Sequence, residues 1–381
     1  MSKTLKIALL VLAIVVIVGI LVLAKNNIVS TNNSTIKIGL INTLTGSAAV
    51  PGEEMQKGYE LAIDELYNKY GLDPFKISFV SEDSQSKQDV GISAYEKLKS
   101  VDHVNAVVTG LTPVSMAIAS SKKNNEDGVI QLAVSTWGTS YRTGGLNNFR
   151  IDMTVETAGK KLVEHVKTKN FKRVAIISIN NEFGVDFTSA FKTELKNETG
   201  LDLVGSESFL PTETDYRTIV TKIKKVNPDV IFIIPYSGRT AGTIIKTAND
   251  IGLKTNYISL STVQDKDLIE LAGKSADGLV YVFPLNNENK IGVDTLSQAY
   301  KTKYNKDPYN LYYVAVAYQS IKTLGLAFKD CDYKDNGCVQ NKLANEKFNS
   351  IFGNLSFDKN HDATFLPILK TVKDSKFVEL Q

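Results

Sequence analysis

Residues able to do covalent chemistry are few in this chain, and their spacing does not suit it. Ser84-Gln85-Ser86-Lys87 and Ser120-Ser121-Lys122-Lys123 match a Ser-x-x-Lys pattern, a spacing that lets an amine activate a hydroxyl, but no Lys-Thr-Gly accompanies either. There is no Gly-x-x-x-x-Gly-Lys phosphate loop, no Gly-x-Ser-x-Gly elbow and no His-Glu-x-x-His site. The adjacent carboxylates Glu53-Glu54 and Asp64-Glu65 read as surface charges on a helix. His103, His165 and His361 are isolated, so no metal or cofactor site is expected. The expectation is a protein that is not an enzyme.

What remains is chemistry of recognition, concentrated in short polar loops. Gly110-Leu111-Thr112-Pro113-Val114-Ser115 places a good N-cap, Thr112, before a proline suited to the first helical position, with the Ser115 hydroxyl in the first turn. A helix start of that kind presents backbone N–H groups and a positive dipole end, which favour a carboxylate. Ser135-Thr136-Trp137-Gly138-Thr139 carries the only tryptophan of the chain, able to wall an apolar pocket or simply to pack. Asn180-Asn181-Glu182-Phe183-Gly184, Pro235-Tyr236-Ser237-Gly238-Arg239-Thr240 and Ser261-Thr262-Val263-Gln264-Asp265 are similar loops. Arg239 reads as an anion contact or a rim charge.

Each of these loops follows an apolar run and precedes an amphipathic one. Residues 36–41, 75–80, 104–109, 129–134, 173–179, 202–209, 230–234, 257–260 and 278–283 have the composition of strands. Helices are expected at 88–100, 113–124, 156–169, 184–198, 215–226, 240–251, 265–272, 292–304 and 312–328, with short strands around 364–380. Alternation of this kind gives an α/β fold of parallel sheets covered by helices, with ligands beyond the carboxyl ends of the strands. About 345 residues after the N-terminal segment suit two lobes around a cleft.

The stretch 36–71, IKIGLINTLTGSAAVPGEEMQKGYELAIDELYNKYG, resembles the opening of the type I periplasmic binding proteins, in the leucine/isoleucine/valine-binding branch that serves ABC transporters. The resemblance extends over about 36–380 and is strongest at 36–71 and 104–140. It implies two Rossmann-like lobes, 36–152 with 286–357 and 153–285 with 358–381. It implies a serine at Ser115 holding the ligand's carboxylate, and a backbone carbonyl at Gly138 and hydroxyl at Thr139 meeting its ammonium. Phe183 stands where the family has a tyrosine. Ser261 stands where amino-acid binders place a glutamate, with Asp265 or Glu182 as substitutes. Together with Thr112, Ser135, Thr136, Trp137, Ser237 and Arg239 these form the expected site. The implied function is capture of a small molecule, a branched-chain or other amino acid, and its delivery to an ABC permease. The alternatives are amides, urea-like compounds or small carboxylates as ligands, or a sensory ectodomain acting through a partner.

The N-terminus sets the compartment. Lys3 and Lys6 precede an uninterrupted apolar run of 18 residues, Ile7 to Ala24. It is long enough to cross a bilayer as an anchor from a cytoplasmic 1–6, while Val22-Leu23-Ala24 offers a signal-peptidase site. Residues 25–35, KNNIVSTNNST, read as a tether, and the remainder is expected outside the membrane. Four Asn-x-Ser/Thr sequons, at Asn32, Asn33, Asn197 and Asn354, are open to a glycosylating host. A net charge of +3, from 44 basic and 41 acidic residues, is too small for a nucleic-acid surface. Cys331 and Cys338, in CDYKDNGC, read as a disulfide staple or as two free thiols.

Overall fold

A computed structural model describes residues 35–380 except 123–126, 140, 142–144, 285–289, 334 and 365–366. The N-terminal apolar run and tether, and with them the expected anchor, lie outside the described residues. Among the described residues no helix is long and apolar enough to cross a membrane.

The first sheet is built from β1 (Ile36–Asn42), β2 (Ile77–Asp83), β3 (Ala106–Gly110), β4 (Ile130–Val134) and β5 (Asn148–Ile151), in the order β2-β1-β3-β4-β5. All its pairings are parallel, with Ile38 opposite Ala106 and Val108 opposite Leu132. Parallel strands are covered on both faces, which is why β3 and β4 are buried at every position and read as apolar runs. The covering helices are α1 (Ala49–Asn68), α2 (Gln88–Ser100) and α3 (Thr112–Ser121).

After Ile151 the chain enters a second sheet. In sequence come α4 (Val155–Thr168), β6 (Arg173–Ile179), α5 (Glu182–Lys196), β7 (Asp202–Phe209), α6 (Arg217–Lys225), β8 (Val230–Ile234), α7 (Gly238–Asp250), β9 (Asn256–Leu260), α8 (Lys266–Ala272) and β10 (Val280–Phe283). The chain then returns through α9 (Lys290–Tyr304) and α10 (Leu311–Asp330), and α10 packs along α1 of the first sheet. Glycine makes that approach possible: a Cβ on Gly58 would lie 2.4 Å from the Val314 carbonyl oxygen. Next come α11 (Asn336–Asn345) and the hairpin β11 (Phe348–Ser350) and β12 (Gly353–Leu355). The chain ends in β13 (Ile368–Lys373) and β14 (Lys376–Glu379), which add antiparallel to β10. The second sheet therefore runs β14-β13-β10-β9-β8-β6-β7. Each sheet, with the helices that cover it, makes one lobe.

Two expectations from sequence change here. β5 takes a segment read only as a connection, because its Arg150 is polar yet 0% exposed. The cysteine loop is partly helical: Cys331 ends α10, Cys338 lies in α11, and the two are bonded. Arg150 also ties two connections between the lobes together. Its Nε donates to Asp362 Oδ1 at 2.8 Å, its Nη2 meets the same oxygen at 2.5 Å, and its backbone N–H donates to the His361 carbonyl at 3.0 Å.

Candidate functional site

The carboxyl ends of the strands of both sheets meet around a cavity of about 470 Å³. The first lobe contributes the loop after β1 (Thr43, Ser47, Ala48), the loop after β2 and start of α2 (Ser86 to Asp89), and the start of α3 (Leu111, Pro113, Val114). The second contributes Asn181 and Glu182 at the start of α5, Pro211 after β7 and Tyr236 after β8.

The first-lobe loops are held by Asp83 at the end of β2. It accepts from the backbone N–H groups of Leu44 and Gln85, at 2.9 and 2.8 Å, and from the Thr45 hydroxyl at 2.6 Å. Partial burial pushes its carboxyl up, but those hydrogen bonds to the charged form outweigh it, so Asp83 titrates below the ordinary 3.8. Thr43 and Ser84 join the two loops through their hydroxyls at 2.9 Å.

The start of α3 differs from its sequence reading in one consequential way. The N-cap is Leu111, at φ 69°, and it makes no side-chain cap. Thr112 lies inside the helix and turns its hydroxyl to accept from the Trp137 backbone N–H at 3.1 Å. The Ser115 hydroxyl does not face the cavity either: it is buried and donates to the Thr109 carbonyl at 3.1 Å. The dipole end of α3 thus reaches the cavity rim with no side chain closing it.

The 135–139 loop is engaged from within. Thr136 donates its hydroxyl to the Val134 carbonyl at 3.0 Å. The Arg150 guanidinium donates to the carbonyls of Thr136 and Gly138, at 3.3 and 2.7 Å. The Gly138 carbonyl expected to meet an ammonium group already accepts from the Arg150 guanidinium. A Cβ at Gly138 would sit 2.3 Å from Met116 Sδ and 2.4 Å from Asp186 Oδ2, so the backbone must be bare there. Thr139 is exposed, and its backbone N–H reaches Asp186 of α5. Trp137 is 0% exposed. Its ring centre lies 5.0 Å from that of Phe187 and 6.5 Å from that of Phe183, both on α5, and 6.1 Å from that of Tyr312. Its Nε1 donates to the Tyr312 hydroxyl at 2.9 Å.

That hydroxyl is a junction absent from the sequence reading. It donates to Asp152 Oδ2 at 2.5 Å and lies 3.3 Å from the Ser135 hydroxyl. Burial raises the Asp152 carboxyl to about 8, against the lowering pull of Tyr312, the Met153 N–H and Arg150. The pattern signal available was weak, a lone Asp after an Arg-bearing strand.

The second-lobe residues mostly serve their own lobe. Phe183 stacks on Tyr236 at 5.3 Å. Ser237 caps α7. Arg239 is exposed and pairs with Asp267 at 2.6 Å, away from the cavity. Ser261 is buried in a single turn of 3-10 helix. Asp265 caps α8 and also accepts from the Gly238 N–H at 2.5 Å, so it is not available to a ligand. Two carboxylates line the cavity, Asp89 on α2 and Glu182 on α5, and Glu182 accepts from Gln88 Nε2 of the opposite lobe at 2.6 Å. Of the residues expected at the site Glu182 lines the cavity; Thr112, Ser115 and Phe183 lie beside neighbours that line it, and Trp137 lies deeper.

Comparison with known proteins agrees with this architecture. The family model described as periplasmic binding protein matches residues 35–367. A Leu/Ile/Val-binding protein homolog of Brucella abortus is 28% identical over 336 residues, covering 85% of this chain and 86% of that protein. The Leu/Ile/Val-binding protein of Citrobacter freundii is 26% identical, covering 86% and 88%. Among solved structures, a branched-chain amino acid transporter substrate binding protein of Streptococcus pneumoniae, in complex with isoleucine, superposes with a TM-score of 0.79 at 24% identity, covering 90% of this chain and 97% of that one. A solute binding protein of an ABC transporter of Rhodopseudomonas palustris, in complex with 3,4-dihydroxybenzoic acid, gives 0.80 at 21%, covering 91% and 96%.

Proposed function

We propose a function from one premise: the chain belongs to the periplasmic binding protein family. It is an extracytoplasmic solute-binding protein that captures a small molecule between its lobes and hands it to an ABC-type importer. The lobes are 36–152 with 286–357 and 153–285 with 358–381. The apolar run 7–24, as an anchor or as a cleaved signal, carries the domain to the outer side of the membrane. The ligand we favour is a branched-chain or other amino acid. One observation carries this: the cavity is bounded on one side by the uncapped start of α3 and on the other by Glu182. A carboxylate suits the first and an ammonium group the second. Pro113, Val114, Pro211 and Tyr236 supply apolar wall for a side chain. Binding is the whole activity, with no chemical step.

A second reading rests on the Gln88–Glu182 hydrogen bond. If Gln88 keeps Glu182 engaged, the ligand lacks an ammonium group and is an amide, a urea-like compound or a small carboxylate, as the dihydroxybenzoate held by the Rhodopseudomonas relative illustrates for that protein. A sensory role through a partner would use the same cavity. A thermal-shift titration separates the readings. At 100 times Kd a ligand adds about 2.7 kcal/mol to stability. Stabilisation by leucine, isoleucine or valine supports the first reading, and stabilisation by benzoates or amides alone supports the second. No response to either set removes the proposal.

A further inference from the structure

Asp152 stands at the first passage between the lobes, between β5 of one and α4 of the other. It is 0% exposed. Its surroundings are unusual for a carboxyl group in having no cation of their own. The nearest, Arg150 on β5, has its guanidinium on Asp362 and on two carbonyls. From α10 it faces Tyr312, which bonds to it, and Tyr313, whose hydroxyl donates to the Tyr236 carbonyl of the second lobe at 2.7 Å. From the 135–139 loop the Ser135 hydroxyl shares Tyr312 with it. The second lobe's own buried carboxyls are held separately, Asp265 by the Gly238 and Leu268 N–H groups and Asp267 by Arg239 and Tyr309. The lid over this cluster is Trp137, itself covered by Phe183 and Phe187 of the second lobe.

With the two lobes together the cluster is dry, and α5 of the second lobe is part of its cover. A separation that took α5 off Trp137 would let water reach the passage. A carboxyl group that is buried in one state and hydrated in the other binds protons differently in the two. We propose that closing of the lobes takes up a proton at Asp152, so that alkaline solution favours the open form and weakens ligand capture. The sign follows from linkage. The closed state holds its proton up to about pH 8, and a hydrated carboxyl loses it near 3.8. Closure is favoured at low pH, loses at most tenfold per pH unit between those limits, and is independent of pH above them.

The inference rests on the closure part of the proposed function and not on the ligand's identity. Trp137, the sole tryptophan, is the reporter. The experiment uses the full chain without ligand, following tryptophan emission and the radius of gyration by small-angle scattering from pH 4.5 to 9.5. The expected result is a red shift and an expansion that follow one one-proton transition below pH 8 and level off above about pH 8. Asp152→Asn, which keeps shape and polarity, abolishes both. Tyr312→Phe removes a bond to the charged carboxylate of the closed form, so it extends the pH-dependent range above pH 8 and deepens the alkaline expansion, which a merely structural role of the hydroxyl would not do. A wild-type protein flat over this range, or an Asp152→Asn protein with an unchanged transition, overturns the proposal. Should Asp152→Asn fail to fold, a Tyr312→Phe protein whose alkaline limb matches the wild type overturns it. Scattering with saturating leucine, and with benzoate, keeps the failures apart. Contraction with either but no response to pH refutes the proton alone; no response to any of them refutes closure as well.

Discussion

The loop 135–139 and the start of α3 sit side by side at the carboxyl edge of one sheet, and both are rich in small polar residues. They are used in opposite ways. In the loop, the carbonyls of Thr136 and Gly138 face Arg150, the Thr136 hydroxyl faces Val134 and the indole N–H faces Tyr312. At the helix start the cap is Leu111, and Val114 and Pro113 stand at the cavity with no side chain closing the helix end. Polar residues at strand ends thus divide into those that build a wall and those that leave donors for a guest. Residue type alone does not tell them apart.

The largest test of this division attacks the wall. Arg150→Met removes the cation paired with the buried Asp362 and should cost about 3–5 kcal/mol of stability in urea denaturation. Trp137→Ala should cost a similar ~3–5 kcal/mol through loss of a fully packed ring. An Arg150→Met protein of unchanged stability would mean the loop is not held as described.

The next test attacks the guest side. Glu182→Gln should leave stability within about 0.5 kcal/mol, as for an exposed surface residue. It should weaken leucine binding by about 1.5–3 kcal/mol in calorimetry, the worth of a charged hydrogen bond. Equal binding by the two proteins would move the ligand away from α5.

Ser115→Ala sharpens the comparison further. A buried hydroxyl donating to Thr109 predicts a loss of about 1 kcal/mol in stability and no change in affinity. A loss of affinity at constant stability would restore Ser115 to the ligand. The smallest effect is on pH. The Asp83 carboxyl is depressed in the folded state, so the stability it contributes is full above pH 3.8 and fades as pH falls below it. Acid titration of Asp83→Asn should lack that fading in a thermal melt, whereas identical acid limbs would mean Asp83 does not hold the cavity loops.

The sheets were legible in the sequence because parallel strands are buried on both faces and so spell continuous apolar runs, as at Ile130–Val134. The strand β5 was not, since Arg150 interrupts its pattern and only the ion pair with Asp362 makes burial tolerable. The helix α11 was hidden by Gly337 and by a cysteine pair that suggested a loop. The loops at 110–115, 180–184 and 235–240 reach the cavity as read from sequence, whereas those after β1, β2 and β7 were not singled out, and which way Ser115 or Thr112 turns depends on partners from other strands, Thr109 and Trp137. Asp152 and Tyr312 are 160 positions apart, and nothing local to either announces the other.

The ion pair between Arg150 and Asp362 also bears on mechanics. Several strands of chain link the lobes, and links that flex separately would permit bending, twisting and sliding alike. Here two of them are bolted together at one point, since Arg150 belongs to the first and Asp362 adjoins the last. Bolted links turn as one body, which suppresses twist and leaves a single swing as the soft motion. A partner reading this protein from outside would then have one angle to read.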